Sequence, residues 1–360
     1  MNARIASLQE KLLENHLDSL FVSSQPNVIY LTGFNGLSPD EREGFLFVTL
    51  YNAYLLTFPT YYELYKNGGK DFVSLNITSD KRIHHHVLDI IQKEKIETIG
   101  FEEENLTVSE LNSLEKKLQK KLTATAGLIE ELRKIKDIRE IAWIAKAADL
   151  TDKTFEYVKT KIKNGISEKE LALEIEFFTK RNGGENAFDP IVAFNENSAI
   201  PHHLSGDKKL NSNSLILLDF GAKISGYCSD MTRVIFWGTP SAKMKKVYDT
   251  VLASQKKALS LIKAGVNGAD IDYAARQVIV SAGFESYPHG LGHGVGLQIH
   301  ESPRMKENYP QILPQNSVIT VEPGIYIPGF CGVRIEDLVV LKKEEVEMLS
   351  KSPKLLKILK

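Results

Sequence analysis

At 360 residues the chain is long enough for a large core and two domains, and its 42% hydrophobic and 25% charged content is that of an ordinary globular protein. A formal net charge of −1 excludes a strong electrostatic attraction to nucleic acid or to an anionic membrane. No run approaches the roughly 18 apolar residues of a membrane helix, the first residues lack a hydrophobic signal core, and Cys228 and Cys331 have no zinc or redox spacing, so both read as reduced thiols of a cytoplasmic protein.

Residues 3–16 carry Ile5, Leu8, Leu12 and Leu13 at helical spacing. Strand-prone runs follow at 19–22, 44–49, 53–57 and 72–77, then a helix at 87–95, a strand at 98–101 and a helix at 107–120. This alternation predicts a small α/β domain over 1–125. Within it, His84-His85-His86 could trap a metal or gate a neighbouring subunit's site, against the plainer reading of an exposed polar stretch entering a helix. Residues 128–163 form a charged amphipathic helical stretch, with Asp137 a candidate N-cap and Asn164-Gly165 a stop. The boundary therefore falls between Lys121 and Glu130, leaving 126–360 as a second domain.

That second domain reads as α+β. Helices are predicted at 137–161, 167–181, 241–263 and 268–282, with Ser167-Glu-Lys-Glu170 matching a capping box. Strands are predicted at 191–195, 215–222, 226–236, 317–326 and 332–341. Five residues on or beside the strands stand in short runs that aim them. The runs are Leu-Leu-Asp219-Phe-Gly-Ala, Cys-Ser-Asp230-Met-Thr-Arg, Gly-Leu-Gly-His293-Gly-Val-Gly, Val-Glu322-Pro-Gly-Ile-Tyr and Val-Arg-Ile-Glu336-Asp.

Four carboxylates and an imidazole form a hard, oxygen-rich set suited to a pair of divalent cations, Mn²⁺ first, with Co²⁺ or Zn²⁺ as alternatives. Two such ions leave room for a hydroxide, a nucleophile available at neutral pH. A hairpin centred between Ile224 and Ser225 would set Asp219 directly opposite Asp230, with Cβ atoms roughly 4.5–5.5 Å apart. The plainer alternative is a pair of exposed turn aspartates, which the apolar flanks disfavour. Glu322 and Glu336 each lie in an apolar strand, where a lone charge is prohibitive. Arg334, two residues from Glu336 and on its face, is either its salt-bridge partner or the group that orients it. The glycines around His293 suit a phosphate loop as well, but no lysine accompanies them.

Together these motifs resemble the metallopeptidase family of methionine aminopeptidase, aminopeptidase P and prolidase, the pita-bread enzymes. The resemblance covers about residues 137–341 and, more loosely, the first half. It implies that Asp219 chelates one metal, Asp230 and Glu336 bridge, and His293 and Glu322 bind the second. His202, in Asn197-Ser-Ala-Ile-Pro-His202-His203, fits the family's upstream histidine, and His289 and His300 match two further histidines around the substrate. Gln25-Pro-Asn-Val-Ile-Tyr-Leu-Thr-Gly-Phe34 is similar to the N-domain signature of the proline-specific branch.

The implied activity is hydrolysis of an Xaa-Pro bond at the N-terminus of a peptide or dipeptide, in a homodimer without nucleic acid or membrane partners. His202 or His300 would donate to the oxyanion, and Glu322 would shuttle the proton. Phe188, Ile191 and Ile299 would form the proline pocket, with core packing as the alternative for all three. Arg304 would hold a dipeptide's carboxylate, unless it is simply a surface arginine. Cys228 shares a face with Asp230, packing being its default role. Methionine aminopeptidase, a non-catalytic peptide-binding relative and a non-peptide amidohydrolase remain as rivals.

Overall fold

The computed structural model describes residues 3–34, 36, 41–67, 71–354 and 357–359. The chain divides into two compact units, Met1–Arg133 and Lys134–Lys360. Among the described residues no helix is long and apolar enough to cross a membrane.

The first unit opens with α1 (Ala3–Glu14), β1 (Ser19–Val22), α2 (Gln25–Thr32), β2 (Gly44–Thr49), β3 (Ala53–Thr57) and α3 (Pro59–Tyr65). It continues with β4 (Val73–Asn76), α4 (Ile83–Glu94), β5 (Ile99–Glu102), α5 (Val108–Leu118), β6 (Thr123–Thr125) and α6 (Leu128–Arg133). The strands form one mixed sheet in the order β4-β3-β2-β1-β5-β6. Phe21, Phe47 and Leu56 of the sheet bury against Val87, Ile90 and Ile91 of α4, which is the α/β layering that the alternating pattern predicts. Arg133 donates to Asn27 Oδ1 at 2.7 Å, tying α6 to α2. The division after Arg133 thus comes later than the 125/126 boundary read from the sequence.

His85 Nδ1 accepts from the Arg82 amide at 3.1 Å and so satisfies an N–H at the start of α4. His86 is buried with Nε2 2.9 Å from the Asn76 carbonyl. The histidine triplet does enter a helix, but only part of it is exposed.

The helical stretch expected over 128–163 is interrupted before Asp137, whose carboxylate accepts from the Arg139 and Glu140 amides and starts α7 (Ile138–Lys159). Then come α8 (Glu168–Arg181), β7 (Glu185–Asn186), β8 (Ile191–Phe194), β9 (Ser214–Phe220), β10 (Ala222–Ile224), β11 (Tyr227–Cys228) and β12 (Met231–Trp237). The capping box Ser167–Glu170 forms at α8 as expected. Beyond β12 lie α9 (Ala242–Leu261), α10 (Gly268–Ser281), β13 (Gly292–Gly294), β14 (Glu301–Met305), β15 (Val318–Val321), β16 (Gly324–Ile327), β17 (Cys331–Arg334), β18 (Asp337–Leu341), β19 (Val346–Met348) and β20 (Lys357–Leu359).

Two sheets dominate, β20-β12-β9-β8 and β14-β13-β15-β18-β19, with smaller ones β11-β10-β7 and β16-β17. One apolar core gathers both large sheets against α9 and α10. A second packs β8, β9 and β12 against Phe155, Val158, Leu171 and Ile175 of α7 and α8. Sheets inside and helices outside make the α+β arrangement expected.

Three strands that the sequence predicts as continuous are broken, and each break carries a candidate ligand. Asp230 lies between β11 and β12, Glu322 between β15 and β16, and Glu336 between β17 and β18. The register also differs from expectation: Asp219 pairs with Thr232, not Asp230. Ser225 and Gly226 both have positive φ, 50° and 84°, so they form the two-residue turn and centre the hairpin one position later. The resulting slip is two residues, so Asp219 and Asp230 keep a common face.

Candidate metal centre

Asp230, His293 and Glu336 each offer a ligand atom within 4.8 Å of the others. His293 comes from β13, where a bulge follows it. Its Nδ1 lies 3.1 Å from the Gly294 carbonyl. With Nδ1–H donating to that carbonyl, Nε2 faces Glu322 Oε1, 3.3 Å away, and Asp230 Oδ2, 3.7 Å away. Thr320 connects the two elements: its Oγ1 accepts from the His293 amide at 3.0 Å and donates to Glu322 Oε1 at 3.1 Å.

The buried carboxylates outnumber the cations facing them. Burial pushes Asp219, Asp230 and Glu336 above the usual carboxylate range, and neighbouring carboxylates push Asp230 and Glu336 further. Glu322 is also raised by burial, but its hydrogen bond to His293 and the surrounding positive charge outweigh this and hold it at about 2. Conversely, burial lowers His293 while Glu322 and Asp230 raise it, to about 9. Asp230 Oδ1 and Glu336 Oε1 are buried without any hydrogen-bond partner among the described residues. An orphaned oxygen on each of two facing carboxylates is what a divalent cation would satisfy, so the donor set fits the expected metal.

Arg334 corrects one expectation. Its guanidinium pairs with Asp219, not with Glu336, because β17 runs past β9. Nε donates to Thr232 Oγ1 at 3.1 Å, and that hydroxyl in turn donates to Glu336 Oε2 at 2.7 Å. Nη1 donates to the Tyr326 hydroxyl at 2.7 Å, and that oxygen lies 2.8 Å from His289 Nε2. Sequence reasoning passed over Thr232, Thr320 and Tyr326. A period-two signal marked all three, since they lie two, two and four residues from Asp230, Glu322 and Glu322.

All the remaining candidates line one cavity of about 880 Å³ with the carboxylates. His300 meets His293 edge-on, with ring centroids 4.4 Å apart. Burial and the His293 charge lower His300 to about 4. His202 faces the cavity with no hydrogen bond to its ring among the described residues. His289, by contrast, has both nitrogens engaged, Nδ1 at 2.8 Å from the Gly290 carbonyl and Nε2 at the Tyr326 hydroxyl. Phe188, Ile191 and Ile299 are half-buried in the cavity wall. Arg304 is exposed within the cavity, opposite His293 on β14. Cys228 is buried and its thiol is pushed up to about 12 by burial, which makes it an inert packing group.

Residues 142–343 match the family model described as metallopeptidase family M24, and residues 4–135 match that of the creatinase/prolidase N-terminal domain. The chain is 34% identical to an Xaa-Pro dipeptidase of Pyrococcus horikoshii over 355 residues, 98% of either chain. Among solved structures it is similar to an Xaa-Pro dipeptidase from Bacillus anthracis, with a TM-score of 0.94 at 34% identity over 99% of both chains. It is likewise similar to an X-Pro aminopeptidase from Thermotoga maritima, with a TM-score of 0.89 at 32% identity, covering 98% of this chain and 99% of the other.

Proposed function

Because the chain belongs to metallopeptidase family M24, with a creatinase/prolidase N-terminal domain ahead of a pita-bread second half, we propose that this metal-dependent peptidase cleaves the bond before a proline at the second position, and that dipeptides are its preferred substrates. The observation that carries the dipeptide reading is Arg304: an exposed guanidinium one strand from His293, aimed into the same cavity. A dipeptide ends in a carboxylate one residue beyond the scissile bond, and a guanidinium binds such a group with a charge-assisted pair. Cleavage of longer peptides is the second reading, favoured by the cavity's volume of about 880 Å³.

Asp219, Asp230, His293, Glu322 and Glu336 would hold two divalent ions, Mn²⁺ by the hardness of the donors. When bound, the ions supply Lewis acidity, which polarises a carbonyl and makes water a usable nucleophile near neutral pH. The chain's own residues do the rest. Glu322, set by Thr320, takes a proton and delivers it to the leaving imino nitrogen. His202 and His300 donate N–H to the developing oxyanion from the cavity wall. Phe188, Ile191 and Ile299 give the pyrrolidine ring an apolar seat that excludes water. His289 acts through Tyr326, steadying the Arg334–Asp219 pair.

The reading includes a homodimer in the cytoplasm, which sedimentation and fractionation would check. The decisive assay sets the Mn²⁺-loaded protein against Ala-Pro, Ala-Pro-Ala and Met-Ala-Ser in parallel. Cleavage of Ala-Pro first is the expected result; cleavage of Met-Ala-Ser alone would make it a methionine aminopeptidase.

A further inference from the structure

Glu168, the first residue of α8, is fully buried and accepts four hydrogen bonds, all from the segment that carries His202. The Phe194 amide donates to it at 2.7 Å, Asn197 Nδ2 at 2.9 Å and the Gly206 amide at 3.2 Å, while His203 Nε2 lies 2.9 Å away. These four donors bracket His202 on both sides. The same segment is fastened elsewhere: the Ser198 hydroxyl accepts from the Gly332 amide at 2.8 Å, and Arg334 Nη2 donates to the Pro201 carbonyl at 3.4 Å. Ser205 joins it to the run containing Phe188 and Ile191, accepting from the Val192 amide at 2.8 Å and donating to the Pro190 carbonyl at 3.1 Å.

Two adjacent histidines therefore have opposite surroundings. His203 turns inward to a buried carboxylate, and His202 turns into the cavity without a partner of its own among the described residues. A donor that must meet an oxyanion needs its aim fixed by the backbone, since its ring has nothing else to hold it. We infer that Glu168, chiefly through His203, is the positioning residue that aims His202 at the reacting carbonyl. This rests on the reading of His202 as an oxyanion donor. Glu168 also satisfies the Phe194 and Gly206 amides, so the aiming role is the part of its work that passes through His203, the neighbour of His202.

The test is a kinetic cycle on the metal-loaded full chain with Ala-Pro. Glu168→Gln should lower kcat on the order of 10²-fold with KM little changed, the scale of a misplaced catalytic group. In a His202→Ala background it should cost less than about twofold, because its effect would pass through His202. His203→Leu should behave like Glu168→Gln, and His203→Gln should recover most activity by supplying an amide donor at the same reach. Metal content and melting temperature should stay near wild type in both His203 variants, which keeps the test valid if Glu168→Gln folds poorly. In the metal-free protein, the His202 Hε1 resonance should be single in His203→Gln and broadened or split in His203→Leu. Additive losses with His202→Ala, or an active His203→Leu, would overturn the positioning role while leaving His202 itself in place. A fully active His202→Ala would instead remove the oxyanion reading beneath it.

Discussion

His293 and Arg304 stand directly opposite one another on β13 and β14, so an imidazole of the carboxylate cluster and an exposed guanidinium share one face of the sheet. A substrate that reaches the first is a short distance from the second. Arg304→Ala should therefore raise KM for Ala-Pro by about 10–100-fold, the worth of a charge-assisted hydrogen bond, and leave Ala-Pro-Ala within a few-fold of wild type. Steady-state assays on both substrates decide the matter, and equal losses on both would rule out dipeptide anchoring.

Asp230 Oδ1 and Glu336 Oε1 lack hydrogen-bond partners among the described residues, so substituting either side chain should show in metal content before anything else. Asp230→Ala and Glu336→Ala should each lose most bound metal and nearly all activity. Chelation of the wild type should lower its melting temperature by several degrees, since ions that bind only the folded state stabilise it by mass action. Elemental analysis and calorimetry check both points. Full activity in either variant would end the two-metal reading.

His202 and His300 line the cavity without being needed to hold the carboxylates together. Replacing either with alanine should reduce kcat/KM by about 10²–10³-fold at unchanged metal content. Loss of metal from His202→Ala would reassign it as a ligand.

Lys136 and Glu301 form a buried ion pair at 3.2 Å, with side chains only 1% and 6% exposed. Glu301 Oε1 also accepts from the Gln298 amide at 2.9 Å and so shapes the turn that presents Ile299 and His300. Lys136→Met removes the cation paired with this buried carboxylate and should cost about 3–5 kcal/mol. Adding Glu301→Gln should restore a good part of that, measured by urea unfolding.

Glu170 offers a pH test remote from the metal centre. Its hydrogen bonds from the Ser167 amide, from Lys209 and from the Ser167 hydroxyl hold it at about 2, below its ordinary 4.5. A carboxylate depressed on folding adds stability that is complete above its ordinary value and is lost as pH falls toward the folded one. The melting-temperature gap between wild type and Glu170→Gln should therefore be constant at neutral pH and close between about 4.5 and about 2. Since the group is exposed, added salt should shrink the gap at every pH.

Much of this site was legible because each candidate sat in an apolar run that leaves a charge no bland role. Asp219, Asp230, His293, Glu322 and Glu336 could be read that way, and they do share one cavity. The hairpin register could not be, because it hinges on Ser225 adopting positive φ beside Gly226, and a serine does not advertise that conformation. The direct partner of Arg334 was hidden for a different reason, although its link to Glu336 survives through Thr232. Sequence proximity favours Glu336, whereas the pairing with Asp219 depends on how β17 crosses β9, a long-range matter. The strand breaks were hidden too, since Val-Glu322-Pro and Ile-Glu336-Asp keep strand-like composition through the interruption. Glu168 was hidden by its place in a capping-box sequence, where a glutamate reads as a solvated first-turn acid.

The interruptions that place Asp230, Glu322 and Glu336 between ladders mean that no single hairpin carries the whole constellation. Asp219 and Asp230 arrive with β9 and β12, while Glu322 and Glu336 arrive with β15 and β18, and Arg334 and Thr232 bolt the two groups together. His293 joins the second pair from β13, and the group of Asp230, His293 and Glu336 draws on both sheets. That three-residue group is therefore complete only once both sheets are in place, so its grip on an ion is tied to the finished fold of the second unit.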